Sequence, residues 1–173
     1  MAVRPLVLSA LCALVAAPAF AQEAYPKRIP ASGGEVIIPT ERQQKSYDEI
    51  KYAPARRVGD MLYVSGVIVG RAQDEGTDPE SFKKQVRRAF TALDNTLKAS
   101  GASFDDVVMI NSFHVWEGPD QPAPRREQLA MINAVKSEFI KGPNPAWTAV
   151  GTTGLLAPGG IVEIQLIAHI PPN

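Results

Sequence analysis

Residues 161–170 read Ile-Val-Glu-Ile-Gln-Leu-Ile-Ala-His-Ile, an apolar stretch with a single carboxylate, Glu163. A run this dense in aliphatic and β-branched residues is expected to form a strand buried on at least part of both faces. Leu156-Ala-Pro-Gly-Gly160 supplies a turn ahead of it, and Ala146 to Gly151 reads as the strand on the other side of that turn. A carboxylate in such a strand needs hydrogen-bond partners or a proton. A pKa raised by such burial suits a general acid or a base that activates water near neutral pH. The structural alternative is an edge position or an ion pair between subunits.

The remaining elements follow from caps and periodicity. Tyr52 to Val58 and Met61 to Gly66 form a hairpin about the Gly59-Asp60 turn, and Gly70 to Pro79 is a polar loop. Asp78 caps a helix, Pro79 suits its first position, and Glu80 sits at the positive end of its dipole. Phe82, Val86, Phe90, Leu93 and Leu97 recur on one face, and Gly101 ends the helix. Lys83, Lys84, Arg87 and Arg88 fall on the opposite, solvated side. Val107 to Trp116 is a central strand on which Val108, Ile110, Ser112, His114 and Trp116 share a face. After a loop from Glu117 to Pro124, a second helix turns Leu129, Ile132, Val135 or Lys136, and Phe139 inward and closes at Gly142-Pro143. The order of strands and helices predicts an α+β layer, a mixed sheet with two helices on one face. Two helices cannot cover both faces of five or six strands, so the second face calls for self-association.

Residues 1–21 have the pattern of a secretory leader: Arg4, an apolar run from Leu6 to Ala17, and Ala19-Phe-Ala21 before Gln22. The run is too short to span a bilayer, and Pro18 with the polar Gln22-Glu23 argues against a buried core helix. Cleavage after Ala21 predicts a secreted or periplasmic protein with no membrane attachment. Of 173 residues, removing 21 leaves 152, one domain's worth. Residues 22–47 read as an extended arm that adds at most one edge strand, and 48–173 as the domain. The lone cysteine, Cys12, departs with the leader. The mature chain thus has no disulfide, thiolate nucleophile or cysteine metal ligand.

Taking Arg4 from 18 basic residues leaves 17 against 18 acidic ones. That balance lacks the basic face on which nucleic-acid affinity depends. His114 and His169 lie on different strands without a third ligand at metal spacing, so no metal is expected. Dinucleotide- and phosphate-binding glycine motifs and the Gly-x-Ser-x-Gly elbow are missing. No cofactor is expected.

Tyr63-Val-Ser-Gly66, Ala99-Ser-Gly-Ala-Ser103 and Ile161-Val-Glu-Ile-Gln-Leu-Ile-Ala168, in this order and spacing, resemble the Rid family (reactive intermediate deaminases, also called YjgF-like or L-PSP) from about Tyr52 to His169. The resemblance implies a chorismate-mutase-like α+β fold assembled as a homotrimer, with small-ligand clefts between subunits. It also implies cofactor-free hydrolysis of enamines and imines: an arginine clamps the substrate carboxylate and a glutamate-bound water attacks the imine carbon. By position, Tyr52, Ser65 and Asn133 match substrate-binding residues and Glu163 the catalytic glutamate. Thr148 keeps a hydroxyl, and Ala149 stands where the family has Cys or Ser. Trp147 stands at the arginine. An indole offers one N–H and an apolar face in place of a charged fork. Losing such a pair from a desolvated cleft removes about 2–5 kcal/mol of binding. Efficient turnover of 2-aminoacrylate is therefore not expected.

Tyr52, Trp147 and Glu163 are expected to line a pocket for a neutral or cationic planar ligand. Arg56, Arg57 and Arg71 flank the hairpin, either as surface residues or as substitutes for the lost clamp. A segment from Pro119 to Arg126, extra relative to the family, is expected near the cleft mouth. Three readings follow: an exported trimer binding a small molecule, with altered imine or enamine hydrolysis; a non-catalytic ligand-binding or structural trimer whose old pocket Trp147 fills; and, least supported by charge and export, a ribonuclease.

Overall fold

The computed structural model describes residues 24–171; the expected leader lies outside them. Seven strands form one mixed sheet: β1 Lys27–Ala31, β2 Gly34–Ile38, β3 Ala55–Val58, β4 Met61–Gly70, β5 Val107–Val115, β6 Ala146–Thr152 and β7 Gly160–His169. Their spatial order is β1-β2-β3-β4-β7-β5-β6, antiparallel throughout except for the parallel pair β5–β6. The apolar run 161–170 thus lies in the interior of the sheet, between β4 and β5. Its side chains alternate: Val162, Ile164, Leu166 and Ala168 are buried, while Glu163, Gln165 and Ile167 are half-buried on the other face.

The buried face is covered by α2 Pro79–Ala99 and α3 Arg125–Phe139. Asp78 caps α2 by accepting from the Glu80 and Ser81 N–H groups, both at 3.1 Å, and Gly101 follows its end at φ 78°. Phe90, Phe104 and Phe139 pack together with ring centroids 5.4–5.8 Å apart, joining α2, the turn at 104–106 and α3. Arg87 pairs with Glu138 across the two helices and Arg88 with Glu75, so the basic side of α2 is partly consumed by ion pairs.

Several expectations are corrected. Residues 27–38 do not form an extended arm with one edge strand. Gly33, at φ 73°, permits a tight turn, and a full hairpin results, with Ile37 opposite Ala55 and Val36 to Ile38 buried. A third helix, α1 Glu41–Glu49, follows with Thr40 as its N-cap. The sheet therefore has seven strands instead of five or six, and three helices accompany it. Tyr52 precedes β3 instead of opening it. Val108 leaves the buried face because the β5–β7 register slips between Val107 and Met109, and it is 44 % exposed. On α3, Gln128 and Met131 turn inward beside Ile132, Val135 and Lys136, while Leu129 is only half-buried. Gln128 is drawn in by a polar partner on β5.

Candidate functional site

The register of β4 against β7 builds the first half of the site. Val64 lies opposite Leu166 and Val67 opposite Ile164, so Ser65 and Gly66 together face Gln165 alone. This bulge drives two backbone residues outward beneath Glu163. A Cβ added at Gly66 would overlap the carboxylate, lying 2.6 Å from Glu163 Cγ and Cδ. The Ser-Gly pair is therefore a seat for the acid. Ser65 Oγ donates to the Ala53 carbonyl at 2.6 Å, and its N–H donates to the Pro54 carbonyl at 3.0 Å. These bonds tie the segment carrying Tyr52, itself 41 % exposed, to the bulge. Glu163 pairs in register with Ile68 and Phe113, and among the described residues its carboxylate makes no hydrogen bond or ion pair. Around it lie Tyr63, Phe113 and Val150, all exposed on the same open face. Thr148 belongs to that face too, opposite Asn111, whose amide donates to Gln165 at 3.4 Å.

Trp147 does not join them. Its register partner on β5 is Ile110, which pairs with Leu166 on the helix side of the sheet. Alternation along a strand places residues opposite Ile110 and residues opposite Phe113 on opposite faces. The expected pocket of Tyr52, Trp147 and Glu163 is thus not formed within one chain. Asn133 is exposed on α3, on Trp147's side of the sheet.

Trp147 is held by a directional chain of hydrogen bonds. An indole N–H can only donate, so Trp147 Nε1 donates to Ser112 Oγ at 2.8 Å. The Ser112 hydroxyl is then free to donate to His114 Nε2 at 2.8 Å, which assigns the imidazole proton to Nδ1, facing Gln128 Oε1 at 3.2 Å. Burial lowers the His114 pKa, against the Gln128 bond that raises it, in keeping with a neutral ring. The Ser-His-Gln arrangement looks like a nucleophile triad, but Ser112, His114 and Gln128 are 0–1 % exposed and no substrate reaches them. Its role is structural, fastening β6 to β5 and α3. The alternation of Ser112 and His114 on one strand face was visible in the sequence; their partners were not.

Lys136 was also hard to anticipate. It is 8 % exposed, and its Nζ lies 4.9 Å from the centroid of the Trp147 ring. Burial pushes its pKa down. The ammonium thus occupies one face of the indole. Farther along β6, Ala149 is exposed, and the Trp116 indole covers Gly151 so closely that an added Cβ would lie 2.7 Å from Trp116 Cδ1. Trp116 in turn stacks on His114 at 4.4 Å.

Three arginines considered as substitute clamps are engaged elsewhere: Arg56 with the Ser32 carbonyl, Arg57 with the Gly59 and Ile170 carbonyls, and Arg71 with Asp120 at 3.2 Å. His169 is exposed beside Asp60. Among the described residues, no group of three or more His, Cys, Asp or Glu side chains is placed to hold a metal ion. The segment 119–126 lines a hollow of about 210 Å³ against the turn before β7, and an open groove of about 550 Å³ beside Trp116 and Arg125. Glu163, Tyr52 and Trp147 line neither.

The family sequence model described as Endoribonuclease L-PSP matches residues 43–170. The RutC family protein YjgH of Escherichia coli (strain K12) is 43 % identical over 126 residues, 72 % of this chain and 87 % of that protein. The 2-iminobutanoate/2-iminopropanoate deaminase of Dermatophagoides farinae is 33 % identical over 119 residues, 69 % of this chain and 85 % of that protein. Among solved structures, protein YJGH is 41 % identical and superposes with a TM-score of 0.57, covering 73 % of this chain and 89 % of its own. RidA from the Antarctic bacterium Psychrobacter sp. PAMC 21119 is 27 % identical with a TM-score of 0.55, covering 69 % and 88 %. With its mixed sheet and with Ser65-Gly66 beneath Glu163, the chain belongs to the L-PSP family, also called the Rid or YjgF family.

Proposed function

We propose that this protein is an exported homotrimer that hydrolyses a small imine or enamine in clefts between its copies, with a substrate different from that of arginine-bearing relatives. The observation that carries the reading is the division of the site residues between two sheet faces. Ser65 and Glu163 lie toward the open face, with Tyr52 exposed on the segment bonded to Ser65, while Trp147 lies on the helix side of the edge strand β6 and Asn133 on α3 above that side. One copy cannot bring the sets together; the open face of one copy against the β6 rim of the next can. The exposed Tyr63, Phe113 and Val150 give that open face the apolar character of an association surface. Thr148, on the other side of β6, contributes a hydroxyl at the seam.

In this reading Glu163, lacking an internal partner, holds a water and takes its proton as the water oxygen bonds to the imine carbon. That proton passes to nitrogen to give a carbinolamine; its hydroxyl proton then moves to the same nitrogen as the C–N bond breaks, and ammonia and a carbonyl compound leave. The dust-mite relative named as a 2-iminobutanoate/2-iminopropanoate deaminase supports this reaction class. No cofactor enters it, and the near-neutral charge gives no support to nucleic acid as the substrate. Export rests on the leader pattern in residues 1–21.

A second reading, a trimer that only binds a ligand, is favoured by one observation: Trp147 is bonded into the chain's own interior through Ser112. Replacing Glu163 by Gln separates the two. Loss of ammonia release by about 10²-fold or more, with trimer mass and ligand binding retained, supports hydrolysis. No turnover in the wild type with an unchanged ligand profile in Glu163→Gln, or lost assembly, speaks for the second reading.

A further inference from the structure

Lys136 carries a charge that the chain does not balance. Among the described residues its ammonium meets no carboxylate and donates no hydrogen bond, although the residue is 8 % exposed. Of the acids on its own helix, Glu138 is held by Arg87 and Glu127 is exposed two turns away. The Trp147 ring faces the ammonium, at 4.9 Å. A cation over an aromatic ring recovers only part of the cost of withdrawing an ammonium from water, and an anion is the natural complement.

The surroundings give that anion a place. Along the helix-side face of β6, Trp147 lies under Lys136, Ala149 is bare, and Gly151 lies under Trp116. Between the two indoles the strand presents only the exposed methyl group of Ala149. One turn before Lys136, on the same flank of α3, Asn133 is exposed and its side-chain amide makes no hydrogen bond among the described residues.

We propose that Lys136 anchors the carboxylate of a small planar ligand seated over Ala149, with the Asn133 amide as its second donor. One ammonium and one amide suit a carboxylate; a phosphate demands more donors than they offer. The ammonium is a point charge without the fork of a guanidinium, so it holds a carboxylate in a pose of its own, in line with an altered substrate. This inference rests on the proposed hydrolysis for the identity of the ligand, though not for the anchor.

The test is calorimetric titration of the full chain with pyruvate and, separately, with inorganic phosphate, in wild type, Lys136→Met, Lys136→Arg and Glu163→Gln. Pyruvate is expected to bind wild type and Lys136→Arg alike, and at least about tenfold more weakly to Lys136→Met, the loss of one charged hydrogen bond, while Glu163→Gln is read for hydrolysis. In the wild type, pyruvate is also expected to shift the Trp147 indole N–H resonance, a readout that survives if Lys136→Met fails to fold. Equal binding by Lys136→Met, an unmoved Trp147 resonance, preference for phosphate, or no binding of pyruvate by the wild type overturns the proposal. Undiminished hydrolysis by Glu163→Gln would defeat the catalytic reading while leaving the anchor intact.

Discussion

Gly66→Ala isolates the seat of the Glu163 carboxylate from the stability of the fold. An alanine Cβ at this position would stand 2.6 Å from Glu163 Cγ and Cδ, where carbon contacts settle at about 3.5–4.0 Å. The acid must therefore retreat by about 1 Å or swing into another rotamer. Gly66 is not among the glycines with left-handed φ, so the backbone accepts alanine. The atoms in the way belong to the end of a flexible, half-exposed side chain. An off-rotamer side chain costs about 0.5–1.5 kcal/mol, and replacing glycine by alanine regains about 0.4–1 kcal/mol from the unfolded state. Stability should stay within about 1 kcal/mol of wild type, or roughly 2–4 °C in Tm for a domain of this size. Activity should not, since a displacement of about 1 Å at a reacting group costs around 10²-fold. Thermal melts beside ammonia release from the small imine that the wild type hydrolyses fastest, chosen from a panel generated in the assay, measure both. Activity within threefold of wild type would show that the acid is not needed where the bulge seats it. A Tm loss beyond about 10 °C would show that the bulge itself is rigid.

Two further outcomes follow from the buried chain of hydrogen bonds. Trp147→Phe keeps a ring under Lys136 but removes the N–H bond to Ser112, so unfolding calorimetry should record a loss of about 0.5–1.5 kcal/mol. His114 has a native pKa below its ordinary 6.5 because it is buried. As pH falls below 6.5 the unfolded chain takes up the proton first, so stability falls until the native ring also titrates. Urea midpoints measured from pH 8 to 5 should show this slope, and His114→Gln should flatten it.

What was legible in the sequence was local. Asp78-Pro79 and Gly101 bound a helix by their own conformational chemistry, and the run 161–170 demanded an interior strand whatever its neighbours. The position of Glu163 on a strand face could be read by alternation, but which face Trp147 would share could not. That depends on the register of β6 against β5, a pairing of residues 37 apart from Ile110 to Trp147. The bulges at Ser65-Gly66 and at Val108 are likewise slips between distant strands, invisible to periodicity. The hairpin at 27–38 was obscured because its strands are five residues each and one contains Pro30. Lys136 was read at the margin of the inner face of α3, but only the tertiary structure shows the indole above which its charge rests.

The anchoring of Trp147 also limits what can take its place. An arginine at this position would set a guanidinium beside the Lys136 ammonium and remove the indole N–H that orients Ser112. Like-charge repulsion then opposes the exchange, so residues 136 and 147 form one electrostatic unit: a second cation at 147 becomes tolerable only once the first, at 136, has gone.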